Sequence, residues 1–209
     1  MSWRIARLTV GTGVQACLRI EYAGLEHVPR SGGALLAYNH VSVLDPFAVA
    51  LGVYREGRIT RILSVADVFE RPVRGWVLRR LRMVPVNRGD PGALGAAVET
   101  LRGGGLIAMA PEGTVGTGEE LQRGHAGAAR ISLLSGAPVL PVGVWGTQLR
   151  WPKSGFLFRP PWRPVVAIEY GPPLHPDGDP ASRDDVVALT GRIMHALGER
   201  VQTARTRAR

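Results

Sequence analysis

Apolar and polar positions along this chain form short apolar runs separated by longer segments with helical spacing. The runs predict six strands, at residues 34–38, 59–65, 83–86, 106–110, 139–145 and 165–170. The longer segments predict helices at 3–18, from 46, within 68–81, at 91–102, at 124–135 and at 183–201. Strands alternating with helices are typical of α/β proteins, so we expect one layered domain with a mixed central β-sheet flanked by helices.

We expect this single domain to cover residues 1–209, because the chain contains no internal repeat and no low-complexity linker. Within it we distinguish an N-terminal helical segment (1–28), a core that carries the motifs (33–145), and a C-terminal helix with a basic tail (182–209). Trp3 and nearby arginines make the short N-terminal helix a candidate membrane-surface anchor. The alternative is a helix that packs on its own domain.

Composition adds a strong positive charge to an otherwise ordinary globular chain of 209 residues. Hydrophobic residues make up 45% and charged residues 21%, while the formal net charge is +9. Residues 55–88 contain nine arginines and three acidic residues, so most of the excess lies there. Such a charge favours phosphate-bearing partners, either nucleic acid or anionic lipid. We interpret residues 55–88 as a basic, partly apolar face for anionic lipid; an ordinary solvated charge run is the alternative.

The segment from Tyr38 to Pro46 contains the strongest candidate chemistry. His40 and Asp45 lie five residues apart between a predicted strand and a predicted helix. A carboxylate near an imidazole can fix its tautomer and stabilise its protonated form, which makes an oriented general base. Asp45 before Pro46 is also a natural helix start, so it has a second expected role as an N-cap. Ser42 is expected to be a loop hydroxyl, and these side chains are too few to form a metal site.

Four blocks of the sequence resemble the glycerolipid acyltransferases, typified by 1-acyl-glycerol-3-phosphate acyltransferase. Asn39-His40-x-x-x-x-Asp45 is similar to that family's N-H-x-x-x-x-D signature. Residues 84–88, which end in Arg88, resemble its second block, and residues 111–114 (P-E-G-T) match its third. The apolar residues 137–142 resemble its fourth block. The resemblance covers roughly residues 33–145.

The resemblance implies roles for individual residues. His40 would deprotonate an acceptor hydroxyl that then attacks an acyl thioester, and Asp45 would hold His40. Arg88 would bind the acceptor's phosphate, together with the turn formed by Glu112, Gly113 and Thr114. A helix predicted to start just after Arg88 supports this independently, because helix N-termini favour anions. The sequence has Val115 where many members carry arginine, which removes one cation from the acceptor site.

The resemblance also implies the reaction and its partners. We expect acyl-CoA or acyl-carrier protein as donor, with no other cofactor, and a lysophospholipid as acceptor. Our first choice is 1-acyl-sn-glycerol-3-phosphate, which would give phosphatidic acid. Glycerol-3-phosphate, other lysophospholipids, and glycolipid or aminolipid hydroxyls remain alternatives.

We expect a peripheral protein on an anionic membrane, at the cytoplasmic face. The sequence shows no secretory signal, no apolar run of the ~20 residues needed to span a bilayer, and a single cysteine, Cys17. Two other classes stay open. A non-enzymatic nucleic-acid-binding protein fits the charge, but aromatic residues are only 6% and no nucleic-acid motif is present. A hydrolase is disfavoured by the lack of a G-x-S-x-G elbow.

Overall fold

The computed structural model describes residues 3–70, 72–81, 83–86 and 91–208, with the side chains of 3–8, 74, 91 and 93 excepted. The helices of this part of the chain are α1 (Trp3–Cys17), α2 (Asp45–Arg55), α3 (Pro72–Arg80), α4 (Pro91–Arg102), α5 (Gly127–Ser135) and α6 (Arg183–Arg207). The strands are β1 (Arg19–Ala23), β2 (Ala34–Tyr38), β3 (Thr60–Val65), β4 (Val84–Val86), β5 (Leu106–Met109), β6 (Val139–Trp145) and β7 (Val165–Tyr170).

The seven strands form one sheet in the order β1-β7-β6-β2-β5-β3-β4. Neighbouring strands run parallel except β6 and β7, which are antiparallel. Strand β2 lies at the centre and is buried along its whole length, as expected for a parallel strand covered on both faces. The predicted α/β domain with a mixed sheet and flanking helices is therefore confirmed.

Two apolar layers cover the two faces of the sheet. One contains Val14 of α1 and Val49 and Val53 of α2, packed on side chains such as Leu36 and Ile168. The other packs α4, α5 and α6 on side chains of β2, β5 and β6 that point the opposite way. Alternate residues of β2 point into the two layers, because successive side chains of a strand face opposite sides of the sheet. Because both faces of the sheet are covered, the ends of the strands are the places where a functional site can form.

The N-terminal segment differs from the prediction of a helical segment over residues 1–28. Helix α1 ends at Cys17, and residues 19–23 form β1, which pairs in parallel with β7. The second half of α1 packs on the domain: Val14 is buried, and a Cβ on Gly11 would lie 3.1 Å from Leu51 Cδ2. The anchor role of Trp3 depends on side chains outside the described residues and stays a prediction.

The C-terminal segment differs too. The expected Arg-rich tail after residue 201 is helical, and α6 continues to Arg207. Arg207 Nη1 lies 2.6 Å from Glu169 Oε1, and the Arg205 guanidinium lies 4.7 Å from the Trp145 ring centre. These contacts to β6 and β7 extend the helix beyond its apolar pattern. Among the described helices, none is both long and apolar enough to cross a membrane.

Candidate active site

His40 and Asp45 meet at the carboxyl end of the central strand. His40 Nδ1 lies 2.9 Å from Asp45 Oδ2, so the contact predicted from their spacing is confirmed. A carboxylate can only accept a hydrogen bond, so Nδ1 carries the proton and Nε2 keeps its lone pair. The Asp45 side chain is fully buried, whereas that of His40 is 20% exposed. The pair therefore presents a basic nitrogen on an imidazole whose orientation is fixed from behind.

Asp45 organises the loop that precedes its helix. Its Oδ2 also accepts hydrogen bonds from the backbone N–H groups of Val41 and Ser42, each at 2.7 Å. Helix α2 begins at Asp45 itself, and Leu44 occupies the N-cap position. The prediction of Asp45 as N-cap is therefore wrong: the carboxylate binds N–H groups before the helix, because the chain turns tightly between His40 and Asp45.

Thr147 is a further partner of Asp45 that the sequence did not reveal. Its Oγ1 donates to Asp45 Oδ1 at 2.5 Å, and its side chain is fully buried. Thr147 follows Gly146, which adopts φ 100° at the end of β6. A Cβ on Gly146 would lie 2.2 Å from the carbonyl oxygen of Val165, so only glycine fits this turn. The feature of the sequence that could have indicated this role is the Gly146-Thr147 pair directly after a buried strand.

Asn39 fixes the end of β2 to β6. Its side-chain amide donates to the Val144 carbonyl at 3.0 Å and accepts from the Val144 N–H at 2.7 Å. The backbone register of the two strands ends just before this point, at Tyr38 and Val142. The buried side chain thus continues the ladder where the backbone turns away, and it sets where His40 leaves the sheet.

Glu112, in the P-E-G-T block, and Gly116, just after it, form hydrogen bonds with the main chain of His40. Glu112 Oε1 accepts from the His40 N–H at 2.8 Å, and Oε2 accepts from the Gln122 N–H at 2.9 Å. The His40 carbonyl in turn accepts from the Gly116 N–H at 2.7 Å. Burial raises the pKa of the Glu112 carboxyl above its usual range, and the two backbone N–H groups oppose that shift. One oxygen of Glu112 therefore holds the main chain of the base, and the other holds the backbone at Gln122.

The other predicted acceptor-binding residues have different outcomes. Gly113 adopts φ 66° in the turn after β5, and Thr114 is half-buried beside it. Arg88 lies outside the described residues, so its role stays a prediction. Ser42 is buried and donates from Oγ to the Trp151 carbonyl at 2.6 Å, which agrees with the expected loop hydroxyl.

Among the described arginines of segment 55–88, Arg55, Arg58 and Arg61 lie away from His40. Arg55 ends α2, and Arg61 lies near the start of β3, at the opposite end of the sheet from His40. Arg58 donates hydrogen bonds to backbone carbonyls, those of Pro29, Gly32 and Gly104. These three arginines serve structure or a distant surface, because the connections around the sheet separate them from the site.

No group of three or more His, Cys, Asp or Glu side chains in the described residues could hold a metal ion.

Comparison with known proteins gives the family. The model of the family described as Acyltransferase matches residues 19–145, which is more than half of the chain. The chain belongs to the Acyltransferase family. The match contains His40, Asp45 and Glu112, so the geometry described above lies inside the family domain.

Named relatives of this acyltransferase-family chain include proteins of bacteria and plants. An uncharacterized protein of Mycobacterium leprae (strain TN) is 32% identical over 203 residues, covering 88% of this chain and 51% of the relative. The chloroplastic 1-acyl-sn-glycerol-3-phosphate acyltransferase of Arabidopsis thaliana is 28% identical over 148 residues, covering 68% of this chain and 40% of the relative. The chain thus spans about half the length, or less, of these relatives.

A solved structure shares the fold. The 1-acyl-sn-glycerophosphate acyltransferase PlsC from Thermotoga maritima superposes with a TM-score of 0.74 at 22% sequence identity. The likeness covers 96% of this chain and 78% of that protein. At this identity the likeness shows the fold alone.

Proposed function

We propose that this chain is an O-acyltransferase that moves a fatty acyl group from acyl-CoA or acyl-carrier protein to the hydroxyl of a lysophospholipid. The observation that carries the proposal is the 2.9 Å contact between His40 Nδ1 and the fully buried Asp45, which leaves the lone pair on Nε2 of a side chain that is 20% exposed. Family membership supports the reaction class, and relatives named as 1-acyl-sn-glycerol-3-phosphate acyltransferases support the acceptor.

His40 acts as general base and then as general acid. Its Nε2 takes the proton of the acceptor hydroxyl while that oxygen attacks the thioester carbonyl. The tetrahedral intermediate collapses with cleavage of the C–S bond. The imidazolium returns its proton to the departing thiolate, so the products are an ester and a free thiol. Asp45 stabilises the imidazolium between these two steps, because its fully buried carboxylate lies beside Nδ1.

Arg88 and the turn at residues 112–114 are proposed to form the acceptor side of the site. Arg88 is proposed to bind the phosphate, and Gly113 and Thr114 to contact the glycerol portion. Glu112 is proposed to act as a positioning residue, since both of its oxygens hold backbone N–H groups next to this turn. The preferred acceptor is 1-acyl-sn-glycerol-3-phosphate, which yields phosphatidic acid. The protein would work as a peripheral protein at the cytoplasmic face of the cell membrane, where its net charge of +9 suits anionic lipid.

The acceptor is tested with purified protein, labelled palmitoyl-CoA or palmitoyl-carrier protein, and a panel of acceptors. The panel contains 1-acyl-sn-glycerol-3-phosphate, glycerol-3-phosphate, lysophosphatidylcholine and lysophosphatidylethanolamine, each run with His40→Ala beside it. The proposal predicts the largest kcat/KM with 1-acyl-sn-glycerol-3-phosphate and product from the wild type alone. A higher kcat/KM with another acceptor would keep the reaction class but replace the acceptor.

A further inference from the structure

The segment between β6 and β7 exposes an unusual amount of apolar surface. Residues 149–163 are called the aromatic loop here. Among the eleven large hydrophobic side chains exposed in the described residues, four lie in this loop: Leu149, Phe156, Phe158 and Trp162. Phe158 is 82% exposed, and its ring packs edge-on against that of Trp162 at 5.1 Å between centres. Exposed aromatic rings grouped in this way mark a surface that binds a partner.

A buried arginine fixes the shape of the aromatic loop. Arg150 is only 2% exposed, and its guanidinium donates to the backbone carbonyls of Leu157, Arg159 and Pro161. The Leu157 N–H returns a hydrogen bond to the Arg150 carbonyl at 2.8 Å. A cation is costly to bury without hydrogen-bond partners, and here Nη1 and Nη2 bind these loop carbonyls while the buried Nε has no partner. These hydrogen bonds fix the backbone of the loop around Arg150. Phe158 lies between the bonded carbonyls of Leu157 and Arg159, and its side chain is exposed to solvent.

The charge of the aromatic loop identifies its partner. Residues 149–163 contain four cations and no acidic residue, and Lys153, Arg159 and Arg163 are exposed. Tryptophan and phenylalanine mixed with arginine and lysine suit the boundary between lipid headgroups and acyl chains.

One end of the aromatic loop is tied to the loop that carries the base, and the other end is tied to α1. The Trp151 carbonyl accepts from Ser42 Oγ at 2.6 Å and from the Val43 N–H at 3.3 Å, in the turn between His40 and Asp45. At the other end, Arg163 Nη2 donates to the Gln15 carbonyl at 2.9 Å, near the end of α1. A surface bound by this loop would therefore lie beside the loop that carries the base.

We propose that the aromatic loop is the surface through which this protein docks on an anionic phospholipid bilayer. Phe158 and Trp162 insert at headgroup depth, while Lys153 and Arg159 contact lipid phosphates. Docking places the His40 loop against the membrane, so a lipid acceptor reaches the base without leaving the bilayer. This last consequence rests on the proposed acyltransferase function; the docking itself does not.

Vesicle binding without any acyl donor tests the docking. The probes are phosphatidylcholine–phosphatidylglycerol vesicles and pure phosphatidylcholine vesicles, with bound protein separated by sedimentation. The test variant is Phe158→Ser/Trp162→Ser. Leu134→Ser/Val187→Ser is the matched control, because it also removes two exposed apolar side chains, which lie on α5 and α6 and outside residues 55–88. Thermal unfolding checks that both variants fold.

We expect the loop variant to bind mixed vesicles at least about tenfold more weakly, since two large apolar side chains lose their burial in lipid. The Leu134→Ser/Val187→Ser control should stay within about twofold of wild type, and Lys153→Gln/Arg159→Gln should lose the preference for anionic vesicles. Wild-type-like binding by the loop variant, or an equal loss in the control, would overturn the proposal. Sedimentation velocity that shows the loop holding two copies together would also overturn it.

A second readout separates failure of docking from failure of the proposed function. The loop variant should lose transfer to 1-acyl-sn-glycerol-3-phosphate held in vesicles but keep transfer to a short-chain, monomeric acceptor within about threefold, because that acceptor needs no membrane. His40→Ala should lose both. If the loop variant loses vesicle binding while neither wild type nor any variant transfers acyl groups, the docking is supported and the proposed function is rejected. Equal loss with both acceptors would overturn the docking.

Discussion

Thr147 and Asp45 form a direct hydrogen bond, Oγ1 to Oδ1 at 2.5 Å, between residues 102 positions apart in the chain. Because Asp45 Oδ2 already serves His40, this bond fixes the second oxygen and thereby the plane of the carboxylate. The orientation of the base thus depends on the turn after β6 as well as on its own loop.

Thr147→Val should lower kcat, because it leaves a buried carboxylate oxygen without its donor. A bond to a charged group contributes about 1.5–3 kcal/mol, so we expect a loss of about ten- to a hundredfold if that energy is expressed in orientation. Thr147→Ser should recover most of the rate, since it restores the hydroxyl. Steady-state kinetics with both variants provide the measurement, and equal rates for Val and wild type would contradict it.

Asp45→Asn should be more severe. The amide can keep one oxygen acceptor but places an NH2 group where the carboxylate now accepts from His40, Val41 and Ser42 or from Thr147. By analogy with triad aspartates we expect kcat to fall on the order of 10³-fold or more. Single-turnover acyl transfer would measure it. A loss below about tenfold would show that Asp45 serves the fold and not the base.

Glu112 should give the fold a defined pH dependence. Burial raises its pKa above the ordinary value of 4.5, so the native state holds this proton more tightly than the unfolded chain does. The contribution of Glu112 to stability is therefore fully present below pH 4.5 and declines as the pH rises through the raised native pKa.

Glu112→Gln removes that titration while keeping the shape of the side chain. The stability of wild type relative to Glu112→Gln should be greatest at acid pH and should fall as the pH rises above 4.5. Denaturant unfolding across this range provides the measurement. A difference that does not change with pH would contradict the direction of the pKa shift.

Gly146→Ala tests the turn that delivers Thr147. Its Cβ would meet the Val165 carbonyl at 2.2 Å in a backbone with φ 100°, so we expect at least about 2 kcal/mol of destabilisation. Gly13→Ala is the matched control, because a Cβ there meets nothing within 4 Å and α1 gains helix propensity. Calorimetry should show a lower Tm for the first and an equal or higher Tm for the second; the reverse order would contradict the account.

The sequence predicted elements well where burial sets the pattern. Strands β2, β6 and β7 and helix α4 have the predicted bounds, because each is an apolar run or a periodic segment ended by Gly, Pro or a polar turn. Strand β1 was missed because its residues are only half-buried at the sheet edge. The last turns of α6 were missed because their partners, Glu169 and Trp145, are distant in sequence.

The contacts of the site also divide into those that the sequence predicts and those that depend on the fold. His40 and Asp45 could be predicted together, because both belong to one short loop. The contributions of Thr147 and Glu112 could not, because they arise when the ends of β6 and β5 come next to the end of β2 in the sheet. Acceptor binding by the P-E-G-T block stays a prediction, and the structure adds that its glutamate holds the backbone of the base.

The most direct test of the central claim compares two histidine variants in acyl transfer from palmitoyl-CoA to 1-acyl-sn-glycerol-3-phosphate. His40 pairs with buried Asp45, whereas His195 pairs with Glu199 at 3.6 Å on the exposed face of α6. With both variants folded, we predict that His40→Ala forms no product above background while His195→Ala matches wild type. Wild-type activity in His40→Ala would contradict the assignment of His40 as the base.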